Sequence, residues 1–375
     1  MDHPLPAPED DLGHYLSAMV AHAASDLFLS SGASAAVKVQ GVVRRLQEAP
    51  LSAERIKRLA YSVMRESQIR EFESSLECDL AIAIEGLGRF RVNVYRQRGD
   101  VAVVVRHINA RIPSLEQLKL PPVLRKLALL KRGLVLVVGA AGSGKSTTLA
   151  AMLDHRNHNA AGHILTVEDP MEFEHAHGTC IVDQREVGLD TQSFEEALRH
   201  AMREAPDVIM IGEIRDRETM QHAMAYAETG HLCVSTLHAN NANQAIQRIL
   251  NFFPETAHRQ VLMDLSLNLK GVVGQRLIRS AAERLVPAVE VMLLSPYIAD
   301  LIQKGQIDDI KEAMAKSNEL GMCTFDQSLY ALYERGDLIA EQAIENADSR
   351  TDLSLRIRLQ HGQRPDTGGL RMAAG

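Results

Sequence analysis

The run GAAGSGKSTT, residues 139–148, follows the aliphatic stretch LVLVV, residues 134–138. It satisfies the pattern G-x-x-x-x-G-K-[ST] at Gly139, Gly144, Lys145 and Ser146. That pattern has meaning only where a buried strand ends and a helix begins, because the glycines turn backbone N–H groups towards phosphate and the helix N-terminus adds a positive dipole. A chain carrying it is therefore expected to fold around a parallel sheet covered by helices, with phosphate held at the carboxyl ends of the strands. Gly142, Ser143 and Thr147 complete the cradle; Lys145 is placed to reach the β- and γ-phosphates and Ser146 to ligate Mg²⁺.

The neighbouring sequence agrees with this frame. Short apolar runs at 134–138, 164–167, 208–211 and 232–236 alternate with helical segments, as strands buried on both faces do. Ser193 and Glu196 have the spacing of a capping box for a helix through Arg203, and the helix in DRETMQHAMAYAETG stops at Gly230. After Arg276 the strand signal fades, and two or three helices are expected to about Ala347. The segment GQRPDTGGLRMAAG is too poor in apolar residues to pack, so residues 351–375 are assigned to a disordered tail.

Residues 1–108 read differently. Segments 26–30, 35–46, 79–99 and 101–108 alternate apolar and polar residues with the strand period. Residues 52–64 have helical spacing, with Ser52 as N-cap. Pro113, Pro121 and Pro122 then mark a linker at 109–118, and an ATPase-type domain with C-terminal helices is assigned to 119–350. Composition excludes several classes. A net charge of -7 gives no global case for nucleic-acid binding. The four cysteines, Cys78, Cys180, Cys233 and Cys323, are dispersed and form no metal or disulfide framework, which makes reduced thiols the expectation. No apolar run is long enough to span a bilayer, and MDHPLPAPEDDLGHYL lacks the features of a signal peptide.

A phosphate loop needs carboxylates on neighbouring strands. ILTVEDPMEF offers Glu168 and Asp169; PDVIMIGEIRD offers Glu213. Glu213 is assigned to Mg²⁺ and Glu168 to the attacking water, although these two roles are interchangeable on sequence grounds. His231 and His238 flank one apolar run; His238, at its carboxyl end, is read as a sensor of the phosphates or their carboxylates, against a purely structural role. Arg89, Arg91, Arg96, Arg98 and Arg106 cluster before the linker, as a solvated basic edge or as arginine fingers for a neighbouring subunit.

Taken in order, these motifs resemble the type II/IV secretion ATPases, in particular the type IV pilus retraction branch, PilT/PilU, and most of all its PilU members. SDLFLSSG resembles the family's PAS-like opening, TVEDPMEF its Asp box, APDVIMIGEIRD its atypical Walker B strand, and TGHLCVSTLHANNANQAIQRILNFFP its His box. The resemblance extends to about Leu359. It implies an α/β chain with an N-terminal PAS-like domain, a RecA-like P-loop ATPase domain and a helical C-terminal extension. It implies ATP and Mg²⁺ as cofactors and a homo-hexamer on the cytoplasmic face of the inner membrane, beside a pilus platform protein. It gives Glu168 and Asp169 the Asp-box roles, Glu213 the Walker B role, His231 and His238 the His-box roles, and picks Arg91 and Arg106 as the intersubunit arginines. One segment departs. PilT carries AIRNLIRE where this chain has YIADLIQK, residues 297–304, which keeps Ile298, Leu301 and Ile302 but lacks both arginines. That departure favours a retraction ATPase working with or through a PilT-type partner. A nucleotide-gated adaptor docking on PilT, and a pilus-assembly or secretion ATPase, are the rival readings. The assembly class usually carries a longer N-terminal region and a tetracysteine site, and this chain has neither.

Overall fold

The computed structural model describes residues 11–363, apart from 40, 47–48, 109–110, 282–283 and 318–319. The first two residues of the expected linker, and the expected tail from 364 onwards, lie outside the described residues. The chain forms two compact units, and the division is not a single cut. Residues 169–176 and 185–193 group with the first unit, although they lie far beyond the expected boundary.

The first unit is built on a six-stranded sheet in the order β3-β2-β1-β6-β5-β4. Its strands are β1 (Asp26–Leu29), β2 (Ala36–Val39), β3 (Val42–Arg45), β4 (Glu77–Ile84), β5 (Gly88–Gln97) and β6 (Asp100–Ile108), paired antiparallel throughout. The expected strands 35–46 and 79–99 are each interrupted: the first by a hairpin at Gly41, the second by a turn ahead of Gly88. Helices α1 (Leu12–Ala21), α2 (Ala53–Ser62) and α3 (Glu66–Ser75) cover one face. Ser52 caps α2, accepting from the Arg55 N–H. Alternation fixes which residues line the core. Leu27, Val105, Val92 and Leu80 lie opposite one another across four strands and pack with Tyr15, Ile56 and Phe72. The row one residue along, Asp26, Arg106, Arg91 and Ala81, is thereby turned to the other face.

The second unit carries a seven-stranded sheet, order β13-β12-β7-β11-β10-β8-β9. Its members are β7 (Gly133–Val138), β8 (Gly162–Glu168), β9 (Cys180–Glu186), β10 (Val208–Ile211), β11 (Leu232–Leu237), β12 (Leu269–Arg279) and β13 (Leu285–Leu293). Strands β12, β7, β11, β10 and β8 run parallel, and β7, β10 and β11 are buried along their whole length, as the apolar runs require. The sheet is not wholly parallel: β13 runs antiparallel to β12. None of β9, β12 and β13 is among the expected strands. Polar residues break the apolar signal of β9 (CIVDQRE), and β13 falls where the strand signal was read as fading.

Helices α4 (Val123–Ala128), α5 (Lys145–Asn159), α6 (Phe194–Ala201), α7 (Arg217–Glu228), α8 (Ala242–Asn251) and α9 (His258–Asn268) accompany this sheet. α5 buries Leu149, Ala150, Ala151, Met152 and Leu153 in succession, so it is enclosed rather than amphipathic. Its buried Arg156 donates to the carbonyls of Ala128 and Leu130, 3.0 and 2.8 Å away, tying α5 to the end of α4. Beyond β13 come α10 (Pro296–Gln303), α11 (Ile310–Ala315), α12 (Phe325–Glu334), α13 (Ala340–Glu345) and α14 (Arg350–Gln363), more helices than expected. α14 also corrects the start of the tail. Leu353 and Ile357 are buried in a cluster with Ile278, Phe325, Leu329 and Ala343. Two apolar residues one turn apart suffice to dock this helix, although its overall composition is polar. Leu353→Ala should therefore lower the unfolding free energy by about 2–5 kcal/mol, measured by denaturant titration; a solvated tail would lose less than about 0.5 kcal/mol.

Candidate functional site: a phosphate loop and its carboxylates

The phosphate loop joins β7 to α5, where its pattern requires. Gly139 follows the last residue of β7, and Gly144, at φ +86°, is the N-cap of α5. The first-turn N–H groups of α5 have no intrahelical partner and face the loop. The Lys145 ammonium is buried and donates to the carbonyls of Gly139 and Ala140, at 3.0 and 2.9 Å, folding the loop round itself. The Ser143 hydroxyl is also buried and has no hydrogen-bond partner among the described residues. An orphaned hydroxyl, a lysine and a helix N-terminus around one loop fit an anionic phosphate chain. Gly139 leaves no room for a side chain: a Cβ there would lie 2.4 Å from Ser143 Oγ and 2.5 Å from the Gln275 carbonyl oxygen.

Strand order decides which acids reach this loop. β10 lies two strands from β7 and β8 three, about 10 and 14 Å away across the ladder. Glu168 ends β8, is buried, and accepts at Oε1 from Thr166 Oγ1 at 2.8 Å and from Gln184 Nε2 at 3.2 Å. Glu213 follows β10 and has both oxygens engaged: Arg215 Nε donates to Oε2 at 2.7 Å, and His238 Nε2 lies 2.7 Å from Oε1. The structure thus joins His238 to Glu213 at the same sheet edge as the loop. It does not place His231 there. β11 runs parallel to β7, with Leu232 beside Gly133 and Leu237 beside Val138, so His231 sits at the opposite edge, about 20 Å from the loop. His231, to which the resemblance gives a His-box role, has its Nδ1 3.2 Å from the Thr229 hydroxyl.

Asp169 is exposed and opens the segment that groups with the first unit. Arg91 and Arg106 also belong to the first unit and are direct cross-strand partners on β5 and β6. Like charges facing one another need neutralising, and acids of the same unit supply this. Arg106 Nε donates to the buried Asp26 at 3.0 Å, while Arg91 lies 3.7 Å from Asp79 and 3.9 Å from Glu186. Burial pushes the Glu186 carboxyl up, against the opposing pull of the Met171 N–H and of Arg91 and Arg89.

Several residues near the loop have no place in the motifs. Gln275, on β12, accepts from Thr148 Oγ1 at 2.6 Å. Arg276, Asn240 and Asn346 line a cleft of about 290 Å³ with residues 139–143. A second cavity, about 460 Å³, borders Gly144, Thr147 and Thr148 and is walled by Leu120, Leu277, Val286 and Pro287. Asn240 stands in the quoted His-box segment; Gln275 and Arg276 lie just before the strand signal fades, outside the four apolar runs and every motif. Among the described residues there is no group of three or more His, Cys, Asp or Glu side chains that could hold a metal ion.

The model of the type II/IV secretion system protein family matches residues 8–327. The chain belongs to this family. Among its secretion-family relatives, the type IV pilus ATPase PilU of Pseudomonas aeruginosa is 54% identical over 92% of this chain and 90% of its own length. The pilus retraction ATPase PilT of the same organism is 41% identical, over 90% and 98% respectively. The crystal structure of the pilus retraction motor PilT with bound ADP superposes with a TM-score of 0.84 at 40% identity, covering 90% of this chain and 96% of that one. Gly139→Ala in this secretion-family chain should weaken binding of a fluorescent adenine nucleotide at least about tenfold and also lower the thermal unfolding midpoint, because the added methyl meets Ser143 Oγ and the Gln275 backbone carbonyl.

Proposed function

We propose that this chain is a subunit of an ATP-hydrolysing motor that powers type IV pilus retraction, acting as a PilU-type accessory of a PilT-type ATPase. One observation carries the reading: the phosphate loop, Glu168, Glu213 and His238 all stand at the carboxyl edge of one sheet. The relatives of similar length support the pilus setting.

In this reading the cleft beside residues 139–143 takes the γ-phosphate side of ATP, and the apolar cavity beside Thr147 and Thr148 takes the nucleoside. Lys145 leaves the Gly139 and Ala140 carbonyls for the phosphates, and Ser143 gains its missing partner. Ser146, and Glu213 through water, would hold Mg²⁺, which would supply charge neutralisation at the phosphates. Glu213 acts through water because Arg215 and His238 already occupy its two oxygens. Glu168 orients the attacking water and takes its proton, with Thr166 and Gln184 fixing the carboxylate. His238 reports the state of the site to α8, whose N-terminus follows four residues later. Arg91 and Arg106 serve the γ-phosphate of the adjacent subunit in a homo-hexameric ring, which lies peripheral to the inner membrane against a platform protein. Among the described residues no helix is long and apolar enough to cross a membrane. Ile298, Leu301 and Ile302 are buried in α10 and Tyr297 is exposed, so the segment that departs from PilT keeps its packing and changes only its surface. That supports dependence on a PilT-type partner, and keeps the nucleotide-gated adaptor as the second reading.

Glu168→Gln should reduce ATP turnover by about 10²–10⁴-fold without loss of nucleotide binding, measured by phosphate release. Rings mixed from Arg106→Ala and Glu168→Ala subunits should recover part of the activity, since some interfaces regain both groups; no recovery in demonstrably mixed rings counts against action in trans. Lys145→Ala beside an active PilT-type ATPase separates the two readings: loss of retraction force supports the motor, and undiminished retraction supports the adaptor.

A further inference from the structure

A carboxylate outside every motif lies behind this site. Glu290 is on β13, 2% exposed, in the otherwise apolar segment VPAVEVML. Its Oε1 accepts from the backbone N–H of Ala242 at 2.8 Å. Ala242 is the first residue of α8, and Asn241 caps the same turn by accepting from the Gln244 N–H. The residues just before it are His238, which pairs with Glu213, and Asn240, which lines the cleft beside the phosphate loop. An anion at a helix N-terminus satisfies an orphan donor and favours the dipole, so this contact fixes where α8 begins.

The sheet leads to the same residue from the other side. Val138, the last residue before the phosphate loop, pairs with Gly274 on β12, and Gly274 pairs with Glu290. Gly274 is the space that admits it: a Cβ there would lie 3.3 Å from Glu290 Cβ and 3.0 Å from the Phe325 ring. Behind Glu290 lies a polar network. Arg276 donates to Asp348 at 2.6 Å and to the Asn346 carbonyl at 2.7 Å, Lys311 of α11 donates to Asp348 at 2.9 Å, and Asp326 accepts from the N–H groups of Asp348 and Ser349.

We infer that Glu290 is a positioning residue for the reaction, holding the first turn of α8 and thereby the His238–Glu213 pair in register with the phosphate loop. It acts through Ala242 and touches no reacting atom. The charged groups facing it are Asp348, Lys311 and Arg276. Burial pushes its carboxyl up to about 7, Asp348 adds to the rise, and the Ala242 N–H, Lys311 and Arg276 oppose it. The strength of the anchor therefore changes across neutral pH, the ionised form holding α8 more firmly.

The inference rests on ATP hydrolysis at this site, and its test has one readout that does not. Glu290→Met removes the acceptor at similar volume; Glu290→Gln keeps an acceptor and removes the charge; Ala242→Pro removes the donor at a helix position that tolerates proline. In the full-length protein, Glu290→Met is expected to lower kcat about tenfold with ADP affinity changed less than about threefold, and to add no further loss to His238→Ala. Glu290→Gln should restore most of that activity at pH 6, with the ratio of wild-type to Gln turnover rising about threefold by pH 8. Amide hydrogen exchange of residues 238–245 should accelerate in Glu290→Met and in Ala242→Pro, whether or not the chain hydrolyses ATP. Unchanged exchange in the folded variants, or multiplicative losses with His238→Ala, overturns the assignment. Absence of ATP turnover in the wild type with accelerated exchange in the variants overturns the functional reading and leaves the anchor standing.

Discussion

The parallel pairing of β7 with β11, β11 with β10 and β10 with β8 is the constraint on which the site depends. Parallel strands deliver all their carboxyl ends to one edge, so residues separated by dozens of positions in sequence arrive beside the same loop. Glu168, Glu213 and His238 stand at the same sheet edge as the phosphate loop for this reason. The same geometry separates His231 from them, since one strand cannot present both its ends to one edge. Burial on both faces makes the pairing stable, and the helices that supply it, α5 above all, also provide the helix N-terminus that a phosphate needs.

What was legible in the sequence follows from which signals are local. The phosphate loop, the four apolar runs and the acids that end two of them are each contained in about ten residues, and each took the structural place expected of it. β13 was hidden because one face is shared with α12 and its centre carries Glu290, so the apolar pattern is interrupted by a residue whose partner is distant. β9 was hidden because Asp183, Gln184, Arg185 and Glu186 interrupt its apolar pattern, although Glu186 is buried and Gln184 serves Glu168. α14 was read as tail because docking rests on two side chains, a signal too small to stand out from composition. Grouping of residues 169–176 and 185–193 with the first unit depends on tertiary contact alone.

Membership of the secretion family and the long relatives sharpen the biology beyond what geometry supplies. Geometry in turn supplies what family membership does not: the pairing of Glu213 with both Arg215 and His238, the unpartnered Ser143 hydroxyl, and the buried acid under α8. The loop is folded round Lys145, which donates to the Gly139 and Ala140 carbonyls.

The row of Asp26, Arg106 and Arg91 keeps each arginine beside acids of its own unit. Under the proposed function, in which these arginines serve a neighbour's nucleotide, an incoming phosphate would have to outbid those carboxylates, and a more highly charged phosphate chain would do so more readily than a shorter one. The resident acids would then set a threshold: an interface presenting too little negative charge would leave the arginines at home. Discrimination between unspent and spent nucleotide would then reside in a competition on the donor subunit, and any neighbour offering the right charge at the right place, from the same chain or a related one, would meet the same threshold.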